Sequence, residues 1–310
     1  NIPMWSSSFT FQGTTYPFTM IGTNPASGSA STNVPVVIIP LRFTFSNGTL
    51  SANSTVCGDT QTAVQRVQNS PVFQAATFSP GGTNVGTTQY PDAYQRANFW
   101  TSVSATAPGY HVILNFTTAA LQTINVTRRR GTTVAGPCAR IGEVDINFFD
   151  NQARRIIRNL GIPATSLPLF VSYNTFETSG GSCCILGYHS ATASNHTYAV
   201  AAYSDPNIFS APIQDIHALS HEIGEWMDDP FGNNIVPAWG HVGQVSGCQN
   251  NLENGDPVTG IAFTLALNGF TYHPEDLVFL PWFSRQAPSS SVNQWYTFLN
   301  SFSAPQAVCQ

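Results

Sequence analysis

The chain reads as an α+β fold, with a mixed, twisted sheet packed on one helix that carries the chemistry and an irregular C-terminal part. Three observations predict it. Short β-branched and aromatic runs recur between residues 36 and 204. Segments with helical spacing interrupt them. A last helical segment, at 213–227, concentrates histidines and acids. No internal repeat or linker is visible. The expected organisation is an extended N-terminal segment over 1–33, rich in Ser, Thr, Gly and Asn, then one domain over 34–310 with its C-terminal part at 231–310.

Val36–Phe45 (VVIIPLRFTF) has strand composition, and Asn47-Gly48 ends it. Thr60–Val67 is a short helical candidate. Asp92–Val103 sets Tyr94, Ala97, Phe99 and Val103 at helical intervals. A strand runs from Gly109-Tyr110 through Phe116, and Leu121–Val126 gives another. Glu143–Leu160 repeats Ile146, Phe149, Ala153, Ile156, Ile157 and Leu160 at helical intervals; Gly161 and Pro163 stop it. Strand-like runs follow at Leu169–Phe176, Cys184–Ser190 and Thr197–Ser204. A helix over Ile213–Met227 is bracketed by Pro212 and Pro230. Beyond it, Gly232-Asn233, Asn254-Gly255 and Asn268-Gly269 mark turns between short strands.

Composition narrows the function. Charged residues are 9% of 310, against roughly 25% in typical soluble domains. All eleven basic residues are arginine and the net charge is −5, which argues against a nucleic-acid partner. Arg128-Arg129-Arg130 reads as a solvated loop. No apolar run approaches the roughly 20 residues that span a bilayer. A first residue Asn1, as if a leader were removed, and an even cysteine count point to a secreted, extracellular protein. Sequons at Asn47, Asn53, Asn115, Asn125 and Asn195 admit glycosylation. The disulfide candidates are Cys57, Cys138, Cys183, Cys184, Cys248 and Cys309. No C-x-x-C spacing exists, which argues against a structural zinc site. The adjacent Cys183 and Cys184 are each expected to pair with a distant cysteine, and Cys248–Cys309 is one pairing to test.

Residues 217–229 (HALSHEIGEWMDD) hold the densest chemistry. His221-Glu222-x-x-Glu225 has the form H-E-x-x-E, the zinc-hydrolase pattern H-E-x-x-H with its second ligand changed to glutamate. Positions i and i+4 share a helix face, so His221 and Glu225 can grip one cation while Glu222 handles an attacking water. Ile216, Leu219, Ile223 and Met227 fall on the opposite, core-facing side. From His217 to Glu225 the helix rises about 12 Å, too far for both to reach one ion. One ion can take either His217/His221 or His221/Glu225; the second pair is favoured because it encloses Glu222, and His217 then becomes a substrate-facing group or a hydrogen-bonding partner. The third ligand must come from elsewhere. Glu253 in Leu252-Glu253-Asn254-Gly255-Asp256 is the first candidate, with Asp256 orienting a ligand. His241 is a competing ligand, and His189, His273 and Asp228-Asp229 stay open.

The segment HALSHEIGEWMDDPFGNN with the downstream LENGDP resembles secreted bacterial zincin-like proteins that pair an H-E-x-x-E helix with an E-x-G-D turn. Plant EXORDIUM-like proteins are similar more distantly. The VPVVIIPLRF and CCILGYH runs strengthen the likeness, which spans most of residues 34–260. The order of elements is also that of a zincin catalytic domain. The resemblance implies metal ligands at His221, Glu225 and Glu253, a general base at Glu222, and Zn²⁺ as cofactor, with Ca²⁺ or Mn²⁺ compatible with carboxylate-rich ligation. The function expected is a secreted zinc endopeptidase acting on a peptide or protein substrate. The alternative is an extracellular structural protein that self-associates on a zincin scaffold, its metal structural or vestigial. The glutamate in place of the second histidine sets the chain apart from peptidase zincins and bears directly on that choice.

Overall fold

The computed structural model describes residues 1–210 and 212–309. The chain opens with an antiparallel hairpin of β1 (Met4–Phe11) and β2 (Thr14–Ile21). Gln12 and Gly13 turn it with φ of 49° and 79°, the paired positive values that a tight two-residue hairpin needs. β3 (Ser31–Phe45) then turns at Asn47-Gly48 into β4 (Gly48–Ser51). Thr62 caps α1 (Ala63–Gln68) in a reciprocal pair of bonds with Gln65. A small hairpin, β5 (Ala76–Phe78) and β6 (Gly86–Thr88), leads to α2 (Tyr90–Asn98) and α3 (Trp100–Ala105). The single helix expected over Asp92–Val103 is thus broken in two. Asn98 is held at the break: its Oδ1 accepts from Leu280 N and its carbonyl from the Ser291 hydroxyl.

β7 (His111–Thr118), β8 (Gln122–Asn125), β9 (Gly131–Val134) and β10 (Ile141–Asp145) follow. Residues 143–145, expected to be helical, pair instead with residues 176–178, and 143–144 also with β9. Asp145 then caps α4 (Ile146–Leu160) by accepting from Phe148 N at 2.8 Å, and Gly161 ends it in the left-handed conformation. The run expected as one strand over Leu169–Phe176 splits at Asn174 (φ 46°) into β11 (Leu167–Tyr173) and β12 (Thr175–Ser179). β13 (Ser182–Ile185), β14 (Gly187–Ala191) and β15 (Thr197–Tyr203) follow. α5 spans His217–Asp228. It starts after Ile213 because Asp215, with φ 44°, exchanges backbone hydrogen bonds with Ser204 at the end of β15. β16 (Ile235–Val242) and β17 (Val245–Asn251) form a hairpin, as do β18 (Leu265–Leu267) and β19 (Phe270–Tyr272); α6 is Leu280–Ser284.

β14, β15, β11, β3, β4, β7 and β8 make a seven-stranded mixed sheet, and β13-β12-β10-β9 a second one. Around β3 the large sheet is parallel to β11, β7 and β8 and antiparallel to β4; β14 is an antiparallel edge on β15. The fold is therefore α+β with mixed sheets. Side chains alternate between its two faces. Leu167, Leu169, Val171, Ala199 and Ala201 join Ile216, Leu219, Ile223, Trp226 and Met227 around α5. Phe170, Tyr198 and Val200 join Phe149, Ile156 and Ile157 of α4 on the other face. α5 is buried along its whole length, packed on β14 and β15 of the sheet and on α2 and β2.

Three disulfides hold the chain: Cys57–Cys138, Cys248–Cys309 and Cys183–Cys184. The last corrects the expectation of two distant partners. Cys183 and Cys184 lie in β13 at the margin of the smaller sheet and bond to each other. No cysteine is free among the described residues. Among the described residues no helix is long and apolar enough to cross a membrane.

Candidate metal centre

The site is assembled where α5 meets the turn after β17. Asn254 makes the junction. Its Nδ2 donates to Gly224 O at 2.9 Å, to Asp228 Oδ2 at 3.1 Å and to Tyr94 OH at 3.0 Å. Asp228 is buried and also accepts from Tyr94, Gln95 and Asn98 of α2. Gly255 N and Asp256 N, each at 3.2 Å, donate to Glu225 Oε1. Gly255 lies flat against the His221 ring: a Cβ there would come within 2.7 Å of two ring carbons. The sequence Asn-Gly-Asp thus supplies an amide that ties the turn to α5, a residue without a side chain, and a carboxylate.

His221, Glu225 and Asp256 bring one ligand atom each to within 4.8 Å of one another. His221 Nε2 is 3.1 Å from Glu225 Oε1 and 3.5 Å from Asp256 Oδ1. Glu253 is grouped instead with His189 and Glu225. Glu222 lies beside both sets, its Oε2 3.5 Å from His189 Nδ1. All six residues line one crevice of about 230 Å³, with no arginine in its wall. It adjoins a groove of about 550 Å³ bordered by Cys183, Cys184, Ile185, Leu186, His217 and Phe209; Gly187, His221 and Glu222 line both.

The other expected residues fall as follows. His217 Nε2 is 3.0 Å from Glu275 Oε2, one turn below the crevice. His241 sits on β16 near the Cys248–Cys309 sulfurs, which are already bonded, so the structure leaves it without further ligands. His273 pairs with Asp215 at 2.6 Å in another cavity. Asp229 caps its own loop, accepting from Asn233 N and Asn234 N. No local motif in the sequence marks Glu275. It is fully buried, and its Oε2 accepts from His221 Nδ1 at 3.0 Å. A carboxylate on one imidazole nitrogen leaves the other as a lone pair facing the crevice. With only sixteen acids in 310 residues, each one outside a plainly solvated run was a signal worth following.

Electrostatics follow from burying so many like charges. Burial raises Glu222 and Glu225 above the ordinary carboxyl range, and burial with the nearby Glu225 pushes Glu253 up to about 8. Burial disfavours a charged His189, yet Glu253, Glu222 and Glu225 outweigh it and push it up to about 10. His221 is likewise held well above the usual histidine range, burial being overcome by Glu225 and Glu275. Burial alone would raise Glu275, but His221 and His217 keep it below its ordinary value and ionised. Without a cation the crevice must hold protons, so binding one releases them.

The residues fit a divalent metal. The set offers an imidazole and carboxylates, and Glu253 Oε2 is buried without a hydrogen-bond partner among the described residues. No family model matches this chain, and no curated protein or solved structure matches it either.

Proposed function

We propose that the protein is a secreted metal-dependent hydrolase that cleaves peptide bonds, with a zinc ion held by His221, Glu225 and Asp256. One observation carries the reading: a histidine and two carboxylates converge beside Glu222 in a crevice continuous with a larger groove. The same donor set accommodates Mn²⁺. When bound, the ion supplies Lewis acidity to the scissile carbonyl.

The chain's own residues supply the rest. Glu222 reaches both the crevice and the groove, and its burial raises its affinity for a proton. It is suited to take a proton from an attacking water and pass it to the leaving amine. Glu275 orients His221 through Nδ1. β14 ends the sheet and supplies Gly187 to the groove, so an extended peptide can add to its edge by main-chain hydrogen bonds. The fully bonded cysteines suit an oxidising compartment.

Glu222→Gln tests the mechanism. The variant is expected to keep its zinc, measured by elemental analysis, and to lose on the order of 10²–10⁴-fold in hydrolysis of a quenched fluorescent peptide mixture. Full activity in that variant would end this mechanism.

A further inference from the structure

We infer that Glu225 bridges two divalent cations, the second held by His189 and Glu253. The two sets His221/Glu225/Asp256 and His189/Glu225/Glu253 share only Glu225. They meet different oxygens of it: Oε1 is 3.1 Å from His221 Nε2, and Oε2 is 3.7 Å from His189 Nδ1. Carboxylates bridge paired ions about 3.5–4 Å apart in two-metal hydrolytic sites.

Each imidazole is prepared in the same way. The far nitrogen of His221 is taken by Glu275, and Nε2 of His189 lies 2.9 Å from the Asp229 carbonyl. With Nε2–H donated there, Nδ1 of His189 presents a lone pair toward Glu222 and Glu225. Such an orienting acceptor behind a ligand histidine is what metal sites provide.

Glu253 gives a separate indication. It is 9% exposed. Its Oε1 accepts from Asn251 Nδ2 at 3.1 Å, while Oε2 has no protein donor among the described residues and lies 3.8 Å from His189 Nε2, the nitrogen that also faces the Asp229 carbonyl. A carboxylate oxygen left dry and unpaired is costly unless a cation or donor meets it.

Charge points the same way. Glu222, Glu225, Glu253 and Asp256 line the crevice without an arginine. In the competing arrangement His189 serves only as a hydrogen-bond partner of Glu222, and a single ion is bound.

The inference rests on the proposed metal site through the shared Glu225, and the experiment separates the two. The full chain is stripped with chelator, titrated calorimetrically with Zn²⁺, and its bound zinc counted by elemental analysis. Two equivalents are expected in the wild type, with one lost in Glu253→Gln and in His189→Asn. Near-UV circular dichroism confirms that each variant is folded, and zinc-edge anomalous scattering from wild-type crystals locates the ions if either variant is not. One equivalent in the wild type overturns the bridged pair. If that single ion is lost in His221→Asn, the hydrolase reading stands alone. Two equivalents retained in both Glu253→Gln and His189→Asn place the second ion elsewhere and also overturn it. No zinc bound at all overturns both readings.

Discussion

Replacing Gly255 by alanine tests the contact between the ligand turn and His221 without touching a ligand. Gly255 has φ −85° and ψ −38°, a conformation alanine adopts freely, so any effect comes from the added methyl group. That methyl would sit 2.7 Å from His221 Cγ and Cε1, and ordinary contact begins near 3.4 Å. The ring or the turn must therefore yield by at least 0.7 Å at those atoms. If the ring yields, Nδ1 leaves Glu275 Oε2, now 3.0 Å away. If the turn yields, Glu225 Oε1 loses the donors Gly255 N and Asp256 N. Either route disturbs an ionised acceptor, at a cost of about 1.5–3 kcal/mol for each lost bond. Zinc affinity should fall about 10–100-fold, as when an orienting partner is removed, and hydrolysis by about 10²-fold from misplacement on this scale. Gly247→Ala is the control, because nothing lies within 4 Å of its added carbon. Zinc affinity is read by competition with a chromophoric chelator, and folding by far-UV circular dichroism. A folded Gly255→Ala protein with wild-type zinc affinity and wild-type rate would refute the packing logic.

Three further outcomes are expected. Glu275→Gln keeps the side chain's shape but removes its charge, so zinc affinity should drop about 10–100-fold by calorimetry; an unchanged value would deny Glu275 its orienting role. Glu177 is buried with neither carboxylate oxygen hydrogen-bonded, and burial pushes it up to about 8 from an ordinary 4.5. Between those values the folded chain holds a proton the unfolded chain has released, so stability falls as pH rises, by an upper bound of about 5 kcal/mol. Glu177→Gln should match the wild type at pH 4 and exceed it at pH 9 in urea melts; parallel pH profiles would contradict the assignment. Opening Cys248–Cys309 with a double serine replacement frees a 61-residue separation. About 4 kcal/mol of stability should be lost on a chain-entropy basis, and a thermal midpoint unmoved by the change would exclude it.

Much of the fold was legible because its signals are local. β-branched and aromatic residues in Val36–Phe45 and the short apolar run Thr197–Ser204 mark strands, and the spacing of Phe149, Ala153, Ile156 and Ile157 marks the buried face of α4. Gly161 and Pro163 stop that helix as expected. The misplacements share one cause, a long-range partner. Residues 143–145 become strand through pairing with residues 176–178, and α5 is delayed by the bridge between Asp215 and Ser204. The site shows the same division. The i, i+4 pair His221 and Glu225 is a local pattern, and Glu253 to Asp256 is a short polar turn. Glu275 is invisible until folding carries it 54 positions back to His221, and so is the adjacency of His189. Cysteine pairing is non-local in the same sense: the spacing of Cys183 and Cys184 did not reveal that each is the other's partner.

The knot around Asn254 ties two properties that are usually measured apart. Tyr94, Gln95 and Asn98 of α2 never reach the crevice, yet they hold Asp228, which with Gly224 holds the amide next to Glu253. A change on α2 that loosens this knot reaches the proposed ligand turn through Asp228, or directly through Tyr94 OH, which accepts from Asn254 Nδ2. Random mutagenesis scored by retention of the proposed metal would therefore mark α2 as sensitive, although none of its side chains lines the crevice. Directed improvement of catalysis would do best to leave that helix alone and vary the open groove wall at Ile185, Leu186 and Phe209.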